Sequence, residues 1–151
     1  MIFSRNKLKV ELNGGVMPFK AHKHDAGFDM AIPSSIELAP FERKTIDLRI
    51  RVLIPRGFVG LIFPRSSMTL QGVGVPTGVI DAGYTGHIKL VLVNRSSKTK
   101  LFAATERVAQ LLILPVPYFQ LVEDTISDCK TVRGAAGFGS SGKFTEACNG
   151  D

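Results

Sequence analysis

The stretch TIDLRIRVLI, residues 45–54, sets apolar Ile46, Leu48, Ile50, Val52 and Ile54 between Thr45, Asp47, Arg49, Arg51 and Leu53. A period of two sends successive side chains to opposite faces of an extended chain, so the pattern predicts one half-buried β-strand. Shorter apolar runs predict further strands at KVEL (9–12), FVGLIF (58–63), HIKLVLV (87–93) and VAQLLIL (108–114), each bounded by Gly, Pro, Asn or Ser. Many short strands with frequent turn residues point to an all-β sandwich or barrel. Long amphipathic helical periods are missing. The best helix candidate is SSMTLQG (66–72), with a serine able to cap its start and Gly72 able to end its last turn. Only RGAAGFGSSG (133–142) is compositionally biased, with four glycines in ten residues.

A chain of 151 residues fits one domain and can bury about two thirds of the surface its unfolded form exposes. With 44% hydrophobic and 21% charged residues it has globular composition, and no apolar run approaches the ~20 residues that cross a bilayer. The start MIFSRNKLKVEL lacks the continuous apolar core of a secretory signal, so an intracellular location, cytoplasm or nucleus, and no membrane partner are expected. Cys129 and Cys148 show no metal-type spacing and read as free thiols, without zinc. The net charge of +6 is spread over scattered residues such as Lys7, Lys20, Arg49, Arg95 and Lys100. No dense basic block with interleaved aromatics occurs, so solvated faces are expected and nucleic-acid binding is not.

Four segments hold candidate chemistry. In FPRSSMTLQG, Arg65, Ser66 and Ser67 leave a strand where a short helix begins; they serve either as a cap and a surface charge or as a site for phosphate oxygens. In TGVIDAGYTG, Asp81 is either a turn residue at a hairpin reversal or a strand-end carboxylate able to activate water, and Tyr84 offers a flat ring beside the same turn. Gln110 interrupts an apolar run, and its amide either pins neighbouring backbone or reaches a polar site. In the glycine-rich segment, Arg133, Ser140 and Ser141 suit phosphate oxygens and Phe138 suits a planar base, although no Gly-Lys-Ser/Thr follows to complete a Walker loop.

Read together, the segments AGFDM (26–30), PRSSM (64–68), GVIDAGYTG (78–86), RVAQ (107–110) and RGAAGFGSSG (133–142) stand in the order and spacing of five short motifs. On these the chain resembles the trimeric deoxyuridine triphosphatase family from about residue 25 to residue 142. The resemblance implies a jelly-roll-like all-β fold with one short helix and a flexible glycine-rich C-terminal arm. Residues 1–132 would form the hydrolase domain, and residues 133–151 the arm closing over its site. It further implies a homotrimer with active sites shared between subunits, and Mg²⁺-assisted hydrolysis of dUTP to dUMP and pyrophosphate. That reaction keeps uracil out of DNA and supplies dUMP for dTMP synthesis.

By motif position, Asp81 would activate the water that attacks the α-phosphorus, and Tyr84 would lie against the deoxyribose and reject ribonucleotides. The backbone of Gly78, Val79 and Ile80, with that near Lys89 on the returning strand, would read the uracil edge, and Phe138 with Gly139 would cover the base. Arg65, Ser66, Ser67 and Gln110 would hold the phosphates, joined by Arg133, Ser140 and Ser141 of the arm. Asp29 would face Mg²⁺ through metal-bound water. His22, His24 and His87 fall outside the motifs and are expected at the surface.

Several positions depart from the family pattern. Phe28 and Met30 replace a more usual Tyr and Leu, Ser67 stands where Gly is common, and Thr105 stands where Gly often precedes the acidic-basic pair, so that turn is expected to differ. The related dCTP deaminases share the fold but carry a glutamate where this chain has Val91, which cannot move a proton. A non-catalytic nucleotide-binding protein of the same fold is the remaining alternative.

Overall fold

A computed structural model describes residues 7–126. The chain up to Tyr118 forms one compact unit and the residues from Phe119 onward a second. Among the described residues, all regular structure lies in the first unit. The expected site residues Arg133, Phe138, Gly139, Ser140 and Ser141, like Cys129 and Cys148, lie outside the described residues.

Eleven strands and one helix follow in the order β1 (Lys9–Leu12), β2 (Gly27–Ala31), β3 (Ile36–Leu38), β4 (Arg43–Asp47), β5 (Ile50–Leu53), β6 (Phe58–Pro64), α1 (Ser66–Leu70), β7 (Val73–Gly74), β8 (Gly78–Ile80), β9 (Lys89–Asn94), β10 (Lys100–Phe102) and β11 (Arg107–Pro115). They pair antiparallel into a four-stranded sheet β2-β11-β6-β8, a three-stranded sheet β4-β9-β7, and the two-stranded pairs β1-β5 and β3-β10, without closing a barrel. Every sheet contributes to one core: Met30 and Leu111 come from the four-stranded sheet, Leu90 from the three-stranded one, Val52 from β5 and Phe102 from β10, with Met68 of the helix. The all-β expectation with one short helix holds.

The long strand expected over 45–54 is instead two. Its alternation persists, with Ile46, Leu48, Ile50, Val52 and Ile54 all buried, but the backbone turns at Arg49, whose φ is 54°. The Asp47 carboxylate stabilises that turn by accepting the Arg49 amide at 2.7 Å. The chain thereby leaves the three-stranded sheet and pairs with β1 while still facing the same core. Alternation reports which face is buried and is silent on which strand is the partner.

Asp81 does stand at a turn, but the turn does not close a hairpin. Tyr84 N–H does bond to the Asp81 carbonyl at 3.2 Å, with Gly83 at φ 83°. Yet β8 pairs with β6 and β9 with β4 and β7, so the turn connects two sheets. At α1 the N-cap is Arg65, with no side-chain cap bond, so the serine cap is not formed. Gly72 ends the helix as expected: its φ of 73° carries its N–H back to the Thr69 carbonyl at 3.0 Å. Thr105 itself adopts φ 68°, so the turn before Arg107 keeps a glycine-like backbone despite its β-branched side chain.

Asn94 is the one fully buried polar side chain among the described residues. Its amide N–H groups reach the carbonyls of Leu38, Ala39 and Lys98 at 3.1, 2.9 and 2.8 Å, and its oxygen accepts from the Ser96 amide and hydroxyl. It thus ties the end of β9 to the end of β3. Asn94→Ala should cost about 2–3 kcal/mol, because several buried acceptors lose their donor at once; chemical denaturation of the two proteins measures it.

Candidate active site

Strand order brings two groups of motif residues to defined places. The first gathers where β2, β11 and the end of β6 lie side by side. Asp29 of β2 faces Gln110 of β11 in register, and Gln110 faces Phe63 of β6. The Asp29 carboxylate, mostly buried, accepts from Arg65 Nε on one oxygen and from an Arg107 guanidinium N–H on the other, each at 3.0 Å. Arg65 also donates to the Arg107 carbonyl at 2.8 Å. The second Arg107 anchor is the Phe19 ring, 5.2 Å from its guanidinium carbon.

Gln110 takes the first of its two expected roles: its amide donates to the Pro64 carbonyl at 3.0 Å and so fixes the backbone just before Arg65. Gly27 makes room for it, since a Cβ there would come within 2.9 Å of Gln110 Oε1. Ser66 and Ser67 stand exposed in the first turn of α1, where amide donors lack intrahelical partners. Two cations around one carboxylate leave this corner net positive and suited to an anion.

The second group forms a cleft of about 380 Å³ lined by Ile62, Gly78, Val79, Ile80, Asp81, Tyr84, His87, Ile88 and Lys89. Strand β8 is the outer strand of its sheet, so one row of its N–H and C=O groups has no ladder partner among the described residues. Such an edge can read the hydrogen-bonding rim of a flat ligand. Asp81 stands exposed at the end of that edge. Tyr84 lies against the backbone of Gly86: a Cβ at Gly86 would overlap the phenol, 2.5 Å from its Cζ.

None of Asp29, Arg65, Ser66, Ser67 or Gln110 lines this cleft. Within one chain the anion-suited corner and the flat-ligand cleft are therefore separate features.

His22 and His24 are exposed, as expected. His87 is not a free surface residue: its Nδ1 lies 3.1 Å from Asp47 Oδ2, its Nε2 lies 3.0 Å from the Asn13 amide nitrogen, and its carbonyl accepts the Tyr84 hydroxyl at 3.2 Å. Sequence reasoning also passed over Arg107, although it stands inside RVAQ, and Gly86, which closes the third motif. For the Asp47–His87 pair no local signal exists, since 40 residues separate its members.

A sequence profile of the dUTPase family matches residues 14–142. Among relatives, the deoxyuridine 5′-triphosphate nucleotidohydrolase of Mycolicibacterium gilvum is 42% identical over 135 residues, covering 83% of this chain and 87% of the relative. Among solved structures, the dUTPase of Staphylococcus bacteriophage 80alpha, determined with dUpNHpp, superposes with a TM-score of 0.82 at 30% identity, over 91% of this chain and 99% of the other. A mutant dUTPase from phage phi11 of S. aureus, described as revealing the coordination of a structural Mg(II) ion, gives a TM-score of 0.72 at 28% identity, over 80% and 99% of the two chains.

The contact of Tyr84 with Gly86 yields a direct prediction. Gly86→Ala should displace the ring at little cost in stability, because what the methyl meets is the far end of a half-exposed side chain. In NMR spectra the Tyr84 ring signals should shift while those of Tyr118 stay in place; unmoved Tyr84 signals would show that the turn absorbs the methyl elsewhere.

Proposed function

The chain belongs to the dUTPase family, and on that premise we propose that it hydrolyses dUTP to dUMP and pyrophosphate. The observation that carries the assignment to this chain's own residues is the cleft in which an unpaired strand edge, a carboxylate and a tyrosine ring converge. In this proposal the backbone of Gly78, Val79 and Ile80, with that near Lys89, pairs with the uracil rim. Mismatched donors of a cytosine would be left buried and unpaired, which gives strong rejection. Tyr84 closes the face of the sugar where a 2′-hydroxyl would stand.

Asp81, exposed and adjoining the same edge, takes a proton from water as its oxygen attacks the α-phosphorus. The bond from that phosphorus to the bridging oxygen breaks, the electron pair stays on the departing oxygen, and pyrophosphate leaves. Arg65, Ser66 and Ser67 hold the phosphates, with Gln110 fixing the backbone from which Arg65 projects. Chemistry of this kind demands positioning and charge neutralisation rather than a covalent nucleophile.

A divalent cation fits this donor set only in part. Among the described residues no three His, Cys, Asp or Glu side chains converge. Both Asp29 oxygens face guanidinium groups, so Asp29 would meet Mg²⁺ through a bound water, with the nucleotide's phosphates supplying its other ligands. When bound, Mg²⁺ supplies positive charge against the triphosphate.

The separation of the phosphate-suited corner from the base-suited cleft supports a site completed by neighbouring subunits, in a homotrimer. In the same proposal the arm of residues 133–151 closes over the nucleotide, with Phe138 and Gly139 on the base and Arg133, Ser140 and Ser141 on the phosphates. The cellular role would be removal of dUTP before it enters DNA, with dUMP delivered for dTMP synthesis. Deamination of dCTP is disfavoured by Val91, a half-buried apolar residue paired with Thr45.

Pyrophosphate release should occur from dUTP, and not from dCTP, dTTP or UTP, when Mg²⁺ is present, and should stop with excess chelator. Release from none of the four would remove the enzymatic proposal. Asp81→Asn should retain dUTP binding while kcat falls about 10²–10⁴-fold, the range of a lost general base. Undiminished turnover in that variant would take Asp81 out of its role.

A further inference from the structure

The Tyr84 ring is not held by burial. It is 46% exposed, and it borders two spaces at once. One is the cleft with the β8 edge. The other is a groove of about 500 Å³ lined by Lys9, Val10, Glu11, Arg51, Leu53 and Thr85. Room on the second side means that close packing does not confine the ring to the first. Gly86 supports it from below, and its hydroxyl is tethered to the His87 carbonyl at 3.2 Å.

The peptide that carries this carbonyl is held on one side by its own Ile88 N–H, which bonds the Ile50 carbonyl at 2.9 Å, and on the other by the His87 side chain. Asp47 is acceptor-only when ionised, and the Arg49 amide, followed by the His87 ring, holds its carboxyl below the ordinary range. His87 Nδ1 therefore carries the proton and donates to Asp47 Oδ2. With Nδ1 as the donor, Nε2 lies 3.0 Å from the Asn13 amide nitrogen, placed to accept its N–H. Both anchors are themselves fixed: Asp47 caps the Arg49 turn at 2.7 Å, and Asn13 N–H bonds the Arg49 carbonyl at 2.8 Å. The ring is thus bound to the β4–β5 turn and the end of β1, while its own carbonyl holds Tyr84.

We propose that His87, clamped by Asp47 and Asn13, is a positioning residue for sugar selection, keeping the Tyr84 ring on the cleft side by fixing the carbonyl to which its hydroxyl bonds. The inference rests on the proposal that this cleft takes a deoxyribonucleotide with Tyr84 against its sugar. His87 touches no reacting atom; its effect passes through Tyr84.

The test compares kcat/KM for dUTP and UTP in the full chain and in His87→Ala, His87→Asn, Tyr84→Phe and the double variant His87→Ala/Tyr84→Phe. Misplacing the ring should lower the dUTP/UTP ratio about tenfold in His87→Ala. Asn places an amide N–H at the same bond count from the backbone as Nδ1–H, so His87→Asn should return the ratio to within about threefold of the parent. Tyr84→Phe keeps the ring and removes the tether, and should lower the ratio as His87→Ala does. The double variant should show little further loss, because both substitutions break one connection.

An unchanged ratio in His87→Ala, or losses that multiply in the double variant, would overturn the inference while leaving dUTP hydrolysis in place. If the parent does not turn over dUTP, the functional proposal fails and this inference fails with it. Should His87→Ala not fold, a parental ratio in Tyr84→Phe overturns the tether and a lowered one, with His87→Asn near the parent, supports it.

Discussion

The register of β6 is the constraint on which the rest of the site depends. This strand pairs with β11 on one side and β8 on the other, so it is the shared edge of the anion-suited corner and the flat-ligand cleft. Arg65 follows its last residue, while Ile62 faces Gly78 and lines the cleft. Gly60 locks the register: a Cβ there would approach Ile54, Ile80 and Leu111 side chains at 3.1–3.2 Å. A slip of one residue would press Val59 or Leu61 into a space shaped for hydrogen and turn Ile62 away from the core. Sheet pairing thus places the corner and the cleft before any polar contact is made.

Polar contacts then orient what pairing has placed. The ion pairs of Asp29 with Arg65 and Arg107 are partly solvated, and such pairs contribute little to stability. Their consequence is geometric. A guanidinium on a flexible stem samples many rotamers, and a shared carboxylate, the Arg107 carbonyl and the Phe19 ring restrict both arginines to one arrangement. Ordering done in the free protein is ordering that a bound phosphate need not impose.

Local pattern made the core legible and left the connectivity obscure. The runs at 9–12, 58–63, 87–93 and 108–114 coincide with β1, β6, β9 and β11 to within two residues; the last three alternate or fill a buried face, while β1 is largely exposed and is placed by its pairing with β5. The alternation over 45–54 was equally correct about burial and wrong about continuity, since Arg49 reverses the backbone without disturbing which residues face inward. Five ordered motifs marked Asp29, Arg65, Asp81, Tyr84 and Gln110, yet they were silent on Asp47 and His87. A contact between residues 40 positions apart follows from sheet topology, and topology is set by packing over the whole domain rather than by any window of sequence.

In the proposed function, selection of base and selection of sugar would therefore rest on unequal supports. The β8 edge that would read a base is held by backbone pairing to β6, and few single side-chain changes can move it without disturbing the sheet. The Tyr84 ring is held by one hydroxyl bond, one glycine contact and a histidine that lies in a loop and bonds to Asp47 at the end of β4. Loops of this kind open at lower cost than paired strands. On that proposal, substitution would alter sugar discrimination while base discrimination persists, and the reverse would require a change to the fold. The position at 87 is where that asymmetry would reside, because its side chain bonds to the scaffold and its carbonyl to the Tyr84 hydroxyl.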